Sequence, residues 1–277
     1  MIRQNGHKDT IRFDGDGHAG RETPGRTYAR LRKVAQDRGA GFVVLIDPDR
    51  LTFSELESFC HDCEEAGVDA FFLGSSVLFG ASLDKYAAGL KQMTDLPVIG
   101  FPGSIGQLSA HLDAVLYLSV ISGRNPEYLF GQHVHAAPMI RALELEPIST
   151  GYMLVESGRM TTAQYVSGSL PLPSNKPDVA AATALAAEMM GMKLLFTDGG
   201  SGAERPVPDE IVAAISQNCV TPLVVGGGIR TPEVAASKVE AGASFVVVGN
   251  AIERRLDRNY IAELASAVHV AEPRLLG

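Results

Sequence analysis

The sequence lacks most features that mark secreted, membrane-spanning or nucleic-acid-binding chains. It has three cysteines, Cys60, Cys63 and Cys219. A small, odd number builds no disulfide framework and fits a reducing, cytoplasmic setting. No apolar run approaches the ~18–20 residues of a membrane span. The opening residues, MIRQNGHKDTIRFDGDGHAGRETPG, carry no apolar stretch of the secretory type. Basic residues are also scarce: 24 against 32 acidic ones, for a formal net charge of −8. That argues against a nucleic-acid partner, which calls for a basic face. It says little against small anions, because backbone N–H groups bind these without Lys or Arg.

What is present is a globular chain of 277 residues, 45% of them hydrophobic. Residues 1–25 read as a polar leader. Residues 26–277 read as one domain, within the size range of a single α/β barrel. A short amphipathic helix is expected over 27–38, with Tyr28, Leu31, Val34 and Ala35 on one face. Eight short apolar runs follow, at 41–46, 70–73, 97–101, 114–118, 148–155, 193–196, 222–225 and 244–248. Most are continuous rather than alternating, as befits strands buried on both faces. Helical patterns lie between them at 54–66, 125–143, 178–190, 209–216, 231–241 and 252–268. Ser54, Asp178 and Thr231 are the expected N-caps, and Pro126 and Pro232 open their helices. The β-α order predicts a (β/α)8 barrel of the TIM type.

Two intervals depart from that plan. Only PGSIGQLSAHL separates Phe101 from Asp113, and a crossover with a helix needs roughly a dozen residues or more. The third helix is therefore expected to be missing or replaced by an extended piece. Conversely, 156–177 is long and polar, and reads as a lid beside the site or a plain insertion.

Barrel enzymes work at the C-terminal ends of their strands. Gly226-Gly227-Gly228 and Gly249-Asn250 end the seventh and eighth strands. Such turns let backbone amides approach a phosphate, although glycines also serve simple turns. Asp47 ends the first strand and Ser76 follows the second. They are candidate Mg2+ ligands, because Mg2+ takes one or two protein oxygens and fills the rest with water and phosphate. The alternative for Asp47 is a turn or capping role. Asp198 and Glu156 are the rival carboxylates for orienting or deprotonating a hydroxyl. The C-x-x-C at Cys60–Cys63 lies in a helix without a second ligand pair, so zinc is not expected.

LIDPDR (45–50), FLGSS (72–76), SGRNPEYLFGQHV (122–134), STGYMLVESG (149–158), LPSNKPDVA (172–180), DGGSGAERPVP (198–208), VGGGIRTPEVA (225–235) and VVGNAIE (247–253) occur in that order. Together they resemble the geranylgeranylglyceryl phosphate synthase family, including its bacterial relatives, over about residues 40–268. The resemblance implies a modified barrel without its third helix, and a Mg2+-dependent prenyltransferase. Such an enzyme joins the C3 hydroxyl of sn-glycerol 1-phosphate to a polyprenyl diphosphate, as in geranylgeranyl transfer, and releases diphosphate. By motif, Asp47 and Ser76 match the Mg2+ site. Tyr152 and the run Phe196, Thr197, Asp198, Gly199, Gly200, Ser201 and Gly202 match the glycerol wall. Gly227, Gly228, Gly249 and Asn250 match the phosphate cradle. The family commonly reads YLEAGSG where this chain reads FTDGGSG. Residue 196 thus lacks a hydroxyl, and Asp198 is one methylene shorter than Glu. The resemblance also implies a homo-oligomer, dimer or hexamer, and the lipid product implies transient contact with a membrane surface. The alternatives are a phosphosugar isomerase on the same scaffold, or a non-catalytic phosphometabolite sensor.

Overall fold

Each of the eight apolar runs becomes a strand, because a continuous Val/Ile/Leu/Phe stretch is satisfied only between two apolar layers. The computed structural model describes residues 25–269. The strands are β1 (Gly41–Ile46), β2 (Ala70–Leu73), β3 (Val98–Gly100), β4 (Ala114–Val120), β5 (Glu146–Leu154), β6 (Leu194–Asp198), β7 (Leu223–Gly226) and β8 (Phe245–Val248). They pair in parallel and in sequence order, and β8 returns to β1 with Val44 opposite Val248, which closes the barrel. The fold is the expected TIM-type barrel.

Alternation along the strands sorts the core into two layers. Val43, Phe72, Ile99, Leu116, Tyr152, Phe196 and Phe245 fill the barrel interior. Phe42, Val44, Phe71, Val115, Met153, Leu195 and Val246 face the helices. This period of two puts Phe196 and Asp198 on the inner side of β6, and Thr197 between them on the outer side.

The helices are α1 (Arg26–Arg38), α2 (Leu56–Ala66), α3 (Leu83–Met93), α4 (Gln132–Ala142), α5 (Thr162–Ser167), α6 (Pro177–Met189), α7 (Asp209–Asn218), α8 (Pro232–Glu240), α9 (Asn250–Glu253) and α10 (Arg258–Val268). Helix α1 seals the N-terminal end of the barrel, where Leu31 and Ala35 join the interior cluster. Its first N–H groups have no cap of their own. The Glu146 carboxylate on β5 accepts from Thr27 N at 2.8 Å and Tyr28 N at 3.0 Å, supplying that cap from a distance. The expected leader, residues 1–25, lies outside the described residues except for Gly25.

Between β3 and β4 the chain makes only a 3-10 turn, Ile105–Gln107, so the third barrel helix is absent as expected. Three local expectations need correction. Ser54 caps nothing, since α2 starts at Leu56 and the preceding turn is held by Thr52 N to Glu55 Oε2 at 3.2 Å. Asp178 lies inside the first turn of α6, after Pro177. The expected terminal helix is two: Leu256 at φ +43° breaks it, and Asp257 Oδ1 caps α10 by accepting from Asn259 N at 3.0 Å. Thr231 does cap α8, accepting from Val234 N at 3.4 Å.

Candidate active site

The strand ends open into a cavity of about 710 Å3. Its polar end is built by the loops after β6, β7 and β8. Asp198 ends β6 opposite Gly226 on β7. It is buried, and both its oxygens are engaged: Gly200 N donates to Oδ1 at 2.7 Å and the Tyr152 hydroxyl donates to Oδ2 at 2.5 Å. Burial pushes the Asp198 pKa up, and those two donors pull it back only in part. Tyr152 is raised well above its ordinary value, first by burial and then by the adjoining carboxylate. The hydroxyl that residue 196 lacks thus has a counterpart one strand away. Phe196 itself stacks on Phe101 with centroids 5.3 Å apart and meets Tyr152 edge-on. The result is an apolar wall behind a single carboxylate.

Gly227, at φ +79°, lies directly under this group, and a Cβ there would overlap Asp198 Oδ1 and the Gly199 and Gly200 amides. Only glycine meets both demands without strain. Among the described residues, the N–H groups of Gly227, Gly228 and Gly249 donate to no protein acceptor. They border the cavity together with Asn250, Gly200, Ser201 and Gly202. Asn250 Nδ2 reaches Ser201 Oγ at 3.4 Å, joining the β6 and β8 loops. Arg230 donates to Ala203 O, Glu204 O and Gly228 O, joining the β6 and β7 loops. Unpaired amides held in a concave frame form an anion cradle.

On the far side of the polar end, Asp47 Oδ2 accepts from Ser75 Oγ at 3.1 Å and Arg50 Nε at 3.2 Å. Its Oδ1 accepts from Asp49 N at 3.1 Å. Ser76 borders the cavity, but Ser75 is the serine that bonds Asp47. The β2 loop carrying both is fixed by Gln107, which accepts from Ser75 N at 3.1 Å and donates to Ser75 O at 2.7 Å. Asp49 Oδ2 accepts from Phe79 N at 2.7 Å, and this holds the rest of that loop and keeps the Asp49 carboxyl below its usual range. Behind Asp47, Glu253 Oε1 accepts from Asp47 N at 2.9 Å. Burial raises Glu253 to about 7. One carboxylate bonded to the Ser75 hydroxyl, with Ser76 also bordering the cavity, is an all-oxygen donor set, and it fits a hard divalent cation that retains water and phosphate oxygens.

The other end of the cavity is apolar and lies outside the sheet. With no helix over β3 and β4, Leu108, Val115 and Tyr117 line an open groove. Its opposite bank is the stripe His133, Ala136 and Ile140 on α4, at helical i, i+3, i+7 spacing. The His133 ring packs edge-on against Tyr117 at 4.3 Å, its Nε2 lies 3.2 Å from Ser119 Oγ, and burial lowers its pKa. The expected lid segment 156–177 contains α5, and Thr162, Ala163 and Val166 border the cavity.

The structure thus gathers Asp47, Ser76, Tyr152, Phe196, Asp198, Gly200, Ser201, Gly202, Gly227, Gly228, Gly249 and Asn250 around one cavity. Three predicted residues stand apart. Glu156 is exposed and bonds Ser174 Oγ at 3.4 Å, because its N–H pairs with Leu172 O and directs the chain outward. Thr197 faces the helix layer, bonded to Val224 O at 3.4 Å. Gly199 spends its N–H on Gly226 O at 3.2 Å and does not border the cavity. Conversely, Arg50, Arg159, Arg230, Arg254 and Arg255 border it, although the sequence assigns none of them a role of its own. Their only signal was adjacency to the glycine and aspartate motifs. Cys60 and Cys63 are buried in α2, and no group of three or more His, Cys, Asp or Glu among the described residues could hold a metal. No helix among the described residues is long and apolar enough to cross a membrane.

Comparison with known proteins agrees with this fold. The model of the PcrB family matches residues 32–267. A geranylgeranylglyceryl phosphate synthase of Chitinophaga pinensis is 47% identical over 84% of this chain and 92% of its own length. A protein of the same name from Korarchaeum cryptofilum is 37% identical over 82% and 92%. Among solved structures, the (S)-3-O-geranylgeranylglyceryl phosphate synthase of Thermoplasma acidophilum in complex with sn-glycerol-1-phosphate superposes with a TM-score of 0.81 at 30% identity, covering 86% of this chain and 98% of that one. Its counterpart from Thermoplasma volcanium gives 0.82 at 29% identity, covering 89% and 99%. By its family match and by these relatives, the chain belongs to the PcrB family.

Proposed function

We propose that the protein is a Mg2+-dependent prenyltransferase that joins the C3 hydroxyl of sn-glycerol 1-phosphate to a polyprenyl diphosphate, of the geranylgeranyl class, releasing diphosphate. The observation that carries this reading is the two-ended cavity: an amide cradle beside a buried carboxylate at one end, and an apolar groove in place of the third helix at the other. A phosphosugar isomerase has no use for that groove.

The free amides of Gly227, Gly228 and Gly249 receive the glycerol phosphate. Asp198 faces the glycerol hydroxyls, and its buried, raised carboxyl is suited to accept the proton lost on ether formation. Tyr152 keeps that carboxyl in one orientation. Asp47 and the hydroxyls of Ser75 and Ser76 hold the Mg2+, which when bound supplies charge neutralisation for the departing diphosphate. Phe101 and Phe196 keep water from the reacting carbon, and the bank of Leu108, Tyr117, Ala136 and Ile140 takes the prenyl tail. Fixing both substrates at the two ends of one cavity turns an encounter of two molecules into a local step. The chain acts as a homo-oligomer, in the cytoplasm and with transient lipid-surface contact; the exposed Phe79 bordering the cavity supports the last point.

The test is product formation. Purified protein incubated with sn-glycerol 1-phosphate, Mg2+ and prenyl diphosphates of several lengths should yield a prenyl ether. Absence of ether at every length overturns the reading in favour of an isomerase or a sensor.

A further inference from the structure

Glu253 stands out because its Oε2 is buried and, among the described residues, has no hydrogen-bond partner. The carboxylate side chain is only 5% exposed. Its other oxygen is committed to Asp47 N at 2.9 Å. A buried carboxylate oxygen without a donor is a standing cost to the fold. The group nearest to relieving it is Arg50, whose Nε lies 3.9 Å from Glu253 Oε2 and 3.2 Å from Asp47 Oδ2. Arg50 therefore has two acceptors in reach and is bonded to one of them. Its backbone is fixed by the turn in which Arg50 N donates to Asp47 O at 2.9 Å, so only its side chain need move to exchange them.

Asp47 Oδ2 is also the oxygen that Ser75 addresses. A divalent cation arriving there meets a guanidinium on the same atom, and two like charges do not share one carboxylate oxygen at such distances. We infer that Arg50 occupies Asp47 as a stand-in for the cation, and that Glu253 is the receiver to which Arg50 passes when the cation binds. The exchange fills the empty position on Glu253 and frees Asp47. Arg50 and Glu253 are then positioning residues for the cation site. The inference rests on the reading of Asp47 as the cation ligand.

The test measures Mn2+ affinity by the electron paramagnetic resonance of the free ion, without substrate. Asp47→Asn should abolish binding at this site; undiminished binding overturns both the ligand reading and the exchange. Arg50→Gln removes the competitor and should tighten Mn2+ about fivefold, whereas Glu253→Gln removes the receiver's charge but keeps the acceptor for Asp47 N and should weaken it by about the same factor. The decisive comparison is the double variant. Because Glu253 acts through Arg50, Glu253→Gln should cost less than about twofold once Arg50 is Gln. Strict additivity, with the full loss retained, overturns the exchange while leaving Asp47 as ligand. A second readout needs no affinity change. The Arg50 Nε–H resonance should shift on Mg2+ addition in the native protein and stay put in Glu253→Gln; a stationary resonance in the native protein also overturns the exchange.

Discussion

The two ends of the cavity are made in opposite ways. The polar end is dense with hydrogen bonds: Asp198 takes two, Arg230 ties two loops, and Asn250 reaches Ser201 across a third. The groove end is made by omission. A 3-10 turn stands where a helix would cover β3 and β4, and Tyr117, Ala136 and Ile140 face the gap. A small rigid anion calls for backbone donors at fixed points, so its site tolerates almost no change of shape. A flexible apolar chain calls only for room and dryness, so its site can be made by leaving an element out.

That contrast predicts how the two ends fail. Gly227→Ala should have the largest effect. It forces a Cβ onto Asp198 at a positive φ, and the strain alone is about 1–2 kcal/mol. The measured KM for sn-glycerol 1-phosphate should rise at least ~10-fold with the prenyl-length preference unchanged; a shift in length preference instead would break the division between the two ends. Ala136→Phe fills the groove from α4. Turnover of long prenyl diphosphates should fall roughly 10-fold while short ones and glycerol phosphate affinity hold, because a filled groove removes only the tail's burial. Equal loss with all lengths would show that the tail lies elsewhere.

The next effect is on stability. Burial raises the folded pKa of Asp198 above its unfolded value. The associated stability is full below the unfolded pKa and lost as pH rises through the folded one. Asp198→Asn has no such loss, so its melting temperature relative to the native protein should climb as pH rises above about 4, while turnover falls. A constant difference across that range would mean that Asp198 is not held raised. Smallest of all, Glu156→Gln should leave turnover within about twofold, since surface substitutions remote from a site cost little. A loss comparable to that of Asp198→Asn would return Glu156 to the site.

Much of the polar end was legible in sequence because its chemistry is local. Gly226-Gly227-Gly228 and Gly249-Asn250 announce tight turns wherever they fall, and strand order decides the rest. The missing helix was legible as a shortage of residues between Phe101 and Asp113. Two kinds of feature are not legible in sequence. A motif reads Thr197 as part of a run, whereas a strand presents every second side chain to one face. Glu156 and Glu253 depended on distance contacts: the first on a bridge to Leu172, the second on an amide 206 positions earlier. Helix α3 has the apolar spacing Leu83, Tyr86, Ala87, Leu90, but the stronger strand patterns on either side mask it in sequence. The arginines around the cavity also revise the role of charge. A chain of net charge −8 keeps Arg50, Arg159, Arg230, Arg254 and Arg255 at its cavity, so its acidic surplus lies elsewhere on the surface.

The cap on α1 sets an order of events during synthesis. Thr27 leaves the ribosome 119 residues before the carboxylate that receives its N–H. At ordinary translation speed that is on the order of ten seconds. Through that interval the amphipathic face of α1 has neither its cap nor the barrel floor it will cover. The β1–β8 seam closes later still. The earliest of the described helices therefore gains its cap only after β5 has begun to emerge.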